Sequence, residues 1–272
     1  MTAQRAGAGR PAAGSAAARA RDTLAFEWIK LRSVRSYAWT LAIAAVVTIG
    51  LTAFLAHTVS AAPHSPGGGP LSSPVISFLA YAEYGVLPVS ILGALAFTSE
   101  FGTGLISTTF TAVPRRWAVV AAKAAVVGAV TLLAGEILAF ASFWLTQAIL
   151  AAHHRGVSLA HPGVLRGVLS AGLLMAVCAV TGLGLGAIIR HTAGAIAATV
   201  AVIYLLAALC LSLPSPWKAD IGRFTLAFAA YQLVTLHPQA GLFSPLVSLL
   251  VLLAWPALAL VVAAVLVSRR DA

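Results

Sequence analysis

Six long apolar runs fix what this chain can become: about Tyr37–Ala56, Pro74–Phe97, Trp117–Ala152, Leu165–Ile189, Ala193–Leu213 and Pro245–Ser268. Each supplies the roughly 20 apolar residues that a helix needs to cross a hydrocarbon core of about 30 Å. Inside lipid an unpaired backbone amide is costly, so such runs become helices. The sequence therefore predicts an all-α polytopic membrane protein with six transmembrane helices. The third run is too long for one crossing, and its first turns, with Lys123, are expected to project beyond the bilayer. Composition agrees: 60% of the 272 residues are hydrophobic, 9% are charged, and the mean hydropathy is +0.97. Soluble domains carry about 25% charged residues.

The net charge of +10 raises nucleic acid as a partner, but the placement of the charges argues against it. Seven basic residues precede the first run, from Arg5 to Arg35. That placement orients membrane helices. No aromatic-interleaved basic patch and no zinc-finger spacing accompanies them. With the N-terminus inside, 13 Lys and Arg fall on the inner segments and 4 on the outer ones. Six spans then leave both termini cytosolic. The Arg-rich, Ala-rich and Gly-rich composition points to a GC-rich bacterial genome, and the expected location is the bacterial plasma membrane.

Between the runs, residues 1–20 read as a disordered basic tail, and 21–272 as one six-span membrane domain. In Arg21–Ser36, Leu24, Trp28 and Leu31 fall at helical spacing, with Asp22 available as N-cap. An interfacial helix results, with Glu27, Trp28, Lys30 and Arg32 on it. Phe224–Leu236 is too short to span and reads as a re-entrant or external helix before the last span. The Pro63–Pro74 stretch, rich in Pro, Gly and Ser, is a flexible connection. Cys178 and Cys210 sit in apolar runs as packing residues. Gly182 and Gly186 have the GxxxG spacing that lets helices approach closely, and packing within the bundle is the favoured use.

One polar island interrupts this pattern: Thr98-Ser99-Glu100-Phe101-Gly102-Thr103-Gly104, followed by Pro114, Arg115, Arg116 and Lys123. Gly102 and Gly104 permit a tight turn. Glu100 is expected near the N-terminus of a following short helix, which Pro114 ends. An ordinary basic loop obeying the positive-inside bias would account for Arg115 and Arg116 alone.

Together with the Glu27–Arg32 segment before the first span, the island resembles the first cytoplasmic loop of type 2 ATP-binding-cassette (ABC) transporter permeases. The resemblance covers about Arg21 to Arg270. It implies a permease subunit, exporting a small molecule, drug or lipid-like substrate by alternating access. Glu100, Phe101, Gly102, Gly104, Pro114, Arg115 and Arg116 would form the loop that couples to an ATPase. It further implies two ABC ATPase subunits, a second permease copy or related permease, and surrounding membrane lipids. ATP and magnesium would sit on the partner, with no cofactor bound by this chain. None of Lys30, Lys123 and Lys218 lies in a GxxxxGK[ST] loop, so the chain has no phosphate cradle of its own and is not read as an enzyme.

Glu83 and Glu136 lie inside apolar spans, where ionisable groups are costly and default to function. They are candidate path-lining residues, or carboxyls hydrogen-bonded within the bundle. Two other functions remain open on these residues: a proton-coupled secondary transporter using Glu83 and Glu136, and a non-transporting assembly or sensor protein. The histidines 57, 64, 153, 154 and 161 lack accompanying Cys or carboxylate, and no metal site is expected.

Overall fold

The computed structural model describes residues 16–61, 74–106, 116–154, 156–214, 217–236 and 241–269, with backbone alone for 16–20, 74–84 and 219. The described residues form helices joined by turns, without strands: α1 (Ala16–Ser33), α2 (Arg35–Ala61), α3 (Pro74–Gly102), α4 (Arg116–Ala151), α5 (Val164–Ile189), α6 (Thr192–Ser212), α7 (Trp217–Gly222), α8 (Leu226–Val234) and α9 (Pro245–Arg269). Six of them, α2 to α6 and α9, are long and apolar enough to cross a membrane. The chain is an all-α, multi-pass membrane protein.

α5 is the centre of the bundle and packs on α3, α4, α6, α8 and α9. Small residues allow this. A Cβ on Gly182 would collide with the Ser90 carbonyl, and one on Gly186 would come within 2.7 Å of the Ala94 carbonyl oxygen, both on α3. Gly93 on α3 returns the contact against the Ala179 carbonyl, and Gly184 faces Ala259 on α9. The GxxxG spacing thus serves packing inside one chain. Lipid gives helices no hydrophobic drive to associate, so close backbone approach supplies the attraction. α2 and α9, by contrast, turn Trp39, Val46, Phe54, Leu246 and Leu250 outward.

Four features differ from the sequence expectation. Residues 16–20, expected in the tail, are the first turns of α1, which places Asp22 inside that helix rather than at its cap. The second apolar run ends at Phe97, yet α3 continues to Gly102. Thr98 Oγ1 donates to the Ala94 carbonyl at 3.1 Å, and short hydroxyls of this kind find their partner within the helix itself. α6 contains a π-helical turn, Ala201–Leu205, that no Gly or Pro announces. α7 was not expected. α8 is confirmed as a non-spanning helix of 9 residues, capped by Thr225 and held by Trp255 Nε1 donating to the Phe224 carbonyl at 3.1 Å.

α1 is inside out relative to a soluble amphipathic helix, as a helix at the membrane interface can be. Glu27 is buried, with Thr23, Lys30 and Leu31 part-buried beside it, while Leu24, Phe26, Trp28 and Ile29 are exposed. Of the Leu24–Trp28–Leu31 stripe, Leu24 and Trp28 face away from the bundle while Leu31 packs against it. Against lipid, outward apolar side chains lose nothing, whereas Glu27 and Lys30 gain ion partners only by facing the protein.

Candidate functional site

Glu27 and Lys30 are three residues apart on α1 and so share a face. That face meets the end of α3 and the second turn of α4. Lys123 Nζ on α4 donates to Glu27 Oε2 and to Glu100 Oε1, each at 2.6 Å. Lys30 Nζ lies 2.5 Å from the same Glu100 oxygen. The Glu27, Glu100 and Lys123 side chains are all at most 5% exposed, and Lys30 is 23% exposed. The four formal charges cancel, which is what a cluster withdrawn from water requires.

Aromatic rings surround it. Lys123 stands 6.0 Å from the Phe97 ring centroid and Lys30 5.2 Å from that of Phe26. Phe101 packs on Phe97 with centroids 5.6 Å apart, and the Arg190 guanidinium lies 5.1 Å over Phe101.

Glu100 was expected near the start of a following helix; it is in the last turn of α3. A carboxylate is unfavourable at a helix C-terminus, and the two lysines offset this. Beyond it the chain turns sharply: Thr103 N donates to the Ser99 carbonyl, Gly104 N to that of Phe101, and Gly104 has φ +72°. That left-handed conformation favours glycine, so Gly104 has the expected turn role, while Gly102 is still helical.

Pro114 and Arg115, and the short helix expected before them, lie outside the described residues. Arg116 opens α4, and its Nη1 lies 3.5 Å from the Val267 carbonyl oxygen near the end of α9. The ends of α1, α3, α4 and α9 consequently share one face of the molecule. Trp28 and Arg32 are exposed on α1 and take no part in the cluster.

Glu136 is remote from this site. Its carboxyl sits against the backbone of Gly172 on α5: a Cβ there would come within 2.5 Å of Cδ. Its Oε2 is buried without a hydrogen-bond partner. Glu83 lies on α3, and its side chain is outside the described residues.

Sequence reasoning placed Glu27 with Lys30 in one segment and Glu100 with Lys123 in another, and missed that the two pairs meet. The signal was scarcity. The chain has only three lysines among 17 basic residues, and two of them enter this cluster. Compared with known proteins, the sequence matches no family model and no curated protein.

Proposed function

We propose that this chain is the permease subunit of an ABC transporter, exporting a small or lipid-like substrate while a separate ATPase hydrolyses ATP. The observation that carries this reading is the ionic bracket at the root of the Glu100–Arg116 segment. Lys123 fastens α4 to the end of α3 and to α1 at once. Force applied to the connecting segment would enter three helices as a unit instead of bending one of them. A segment that merely joined two spans would need no buried cross-ties at its base. In this reading both termini are cytosolic and the chain resides in a bacterial plasma membrane, paired with a second permease.

The test is affinity purification of the tagged chain from its native membrane. A co-purifying ATPase carrying GxxxxGK[ST], with ATP hydrolysis that depends on it, is the expected result. A chain that purifies without such a subunit and still transports would overturn the reading.

A further inference from the structure

A cavity of about 370 Å³ lies between α1, the start of α2, the end of α3 and the start of α4. That volume falls in the lower part of the roughly 300–1,000 Å³ range of ligand sites. Its wall is graded. Glu27, Lys30, Glu100 and Lys123 line one part, and Leu92, Leu95, Val126 and Val127 another. Leu92 precedes Glu100 by two helical turns, which at 1.5 Å per residue is about 12 Å along α3. The cavity therefore runs from a charged end, level with α1, to an apolar end deeper among the spans. Any occupant must be an amphiphile with its head at the α1 side.

The polar end specifies the head. Lys123 takes one oxygen from each carboxylate, and the opposite oxygens, Glu27 Oε1 and Glu100 Oε2, are buried with no hydrogen-bond partner. A protonated primary amine carries three N–H donors, enough for both. Lys30 is ion-paired to Glu100, but its Nζ, buried like the two carboxylate oxygens, makes no hydrogen bond of good geometry. Its ammonium can therefore donate to a phosphate. A zwitterionic head suits a cluster whose own charges cancel. A purely anionic head would face two carboxylates, and a trimethylated ammonium has no N–H to give.

We propose that this cavity binds a phospholipid with a primary-amine headgroup, taken from the leaflet on the α1 side. The ammonium meets Glu27 and Glu100, the phosphate meets Lys30, and the start of one acyl chain lies along Leu92, Leu95 and Val127. The rest of the molecule stays in the bilayer. The site shares Glu100 with the root of the connecting segment, but it stands whether or not an ATPase docks there.

The experiment is native mass spectrometry of the full chain. The protein is released from bilayers of equal phosphatidylethanolamine, phosphatidylcholine and phosphatidylglycerol. The expected result is one retained phosphatidylethanolamine per chain, enriched at least tenfold over phosphatidylcholine. Leu95→Trp, which fills the apolar end, should cut that retention tenfold or more while elution and melting stay those of the wild type. Glu27→Gln should lower the preference for phosphatidylethanolamine over phosphatidylcholine. Equal retention of the three lipids, a preference for phosphatidylglycerol, or unchanged retention in folded Leu95→Trp would overturn the proposal. Should Leu95→Trp fail to fold, the headgroup preference of the wild type decides alone.

Discussion

The Lys123 ammonium on α4 stands 2.6 Å from the Glu100 carboxylate at the end of α3, and each side chain is at most 5% exposed. Removing one partner of a buried pair leaves an uncompensated charge, at a cost of about 3–5 kcal/mol. Lys123→Met strands two carboxylates, Glu27 and Glu100, with only Lys30 near them. It should lower the melting temperature in detergent and the yield of monodisperse protein more than any other single substitution in the cluster. Adding Glu27→Gln to Lys123→Met removes one stranded charge and should recover part of the loss. Wild-type melting for Lys123→Met would show that the cluster does not hold α3 to α4.

Because Glu100 is buried, replacing it perturbs the fold and says nothing clean about a partner. Arg115 is the better probe of coupling. If Arg115 serves coupling and not the fold, Arg115→Ala should leave melting within about 0.5 kcal/mol of the wild type. It should weaken ATPase association roughly tenfold, the effect of losing one charge-assisted hydrogen bond of about 1.5 kcal/mol. Co-purification at undiminished yield would make the segment a passive connector.

Close approach of α3 and α5 is tested at their glycines. Gly182→Ala drives a methyl into the Ser90 carbonyl, which cannot move without moving α3. A loss of about 1–3 kcal/mol is expected, the usual cost of overpacking. Gly50 on α2 has no atom within 4 Å of a built Cβ. Gly50→Ala should therefore be neutral or stabilising by up to about 1 kcal/mol. Equal effects of the two, measured by thermal denaturation in the same detergent, would remove the packing account.

The spans were legible because lipid imposes one rule, about twenty apolar residues per crossing, and all six runs obey it. The end of α3 was not, because apolarity stops at Phe97 while hydroxyls and a salt-bridged Glu100 carry the helix on to Gly102. α1 was legible as an interfacial helix, but the inward turn of Glu27 and Lys30 was not. The rule that apolar residues face the protein holds in water, and Trp28 and Ile29 face out while Glu27 faces in. The meeting of Glu27 with Lys123 joins residues 96 apart in the chain. Their pairing is a property of the bundle, and no local spacing encodes it.

Orientation can be read by thiol labelling, since both native cysteines are buried. Ser72→Cys, in the connection between α2 and α3, should react in whole cells with a membrane-impermeant maleimide. Thr103→Cys, exposed beyond the end of α3, should react only after the cells are opened. The reverse pattern would place α1 and its basic leader outside, against the 13-to-4 distribution of Lys and Arg.

Glu136 and Gly172 allow a sharper question than Glu136 alone. The Glu136 carboxyl occupies the space that a Cβ on Gly172 would take, and its Oε2 has no hydrogen-bond partner there. The obstructing atoms are the far end of a flexible side chain, so Gly172→Ala should cost less than Gly182→Ala, where the obstacle is backbone. It should also push the carboxyl out of its seat. If Glu136 lines a substrate or proton path, Gly172→Ala and Glu136→Gln should each reduce transport several-fold while expression and melting hold. In the Glu136→Ala background the Gly172 substitution should lose its remaining effect on stability, because the side chain it displaces is gone. Such non-additivity is expected of residues in contact. Normal transport by both single variants would leave Glu136 as a packing residue seated on a glycine.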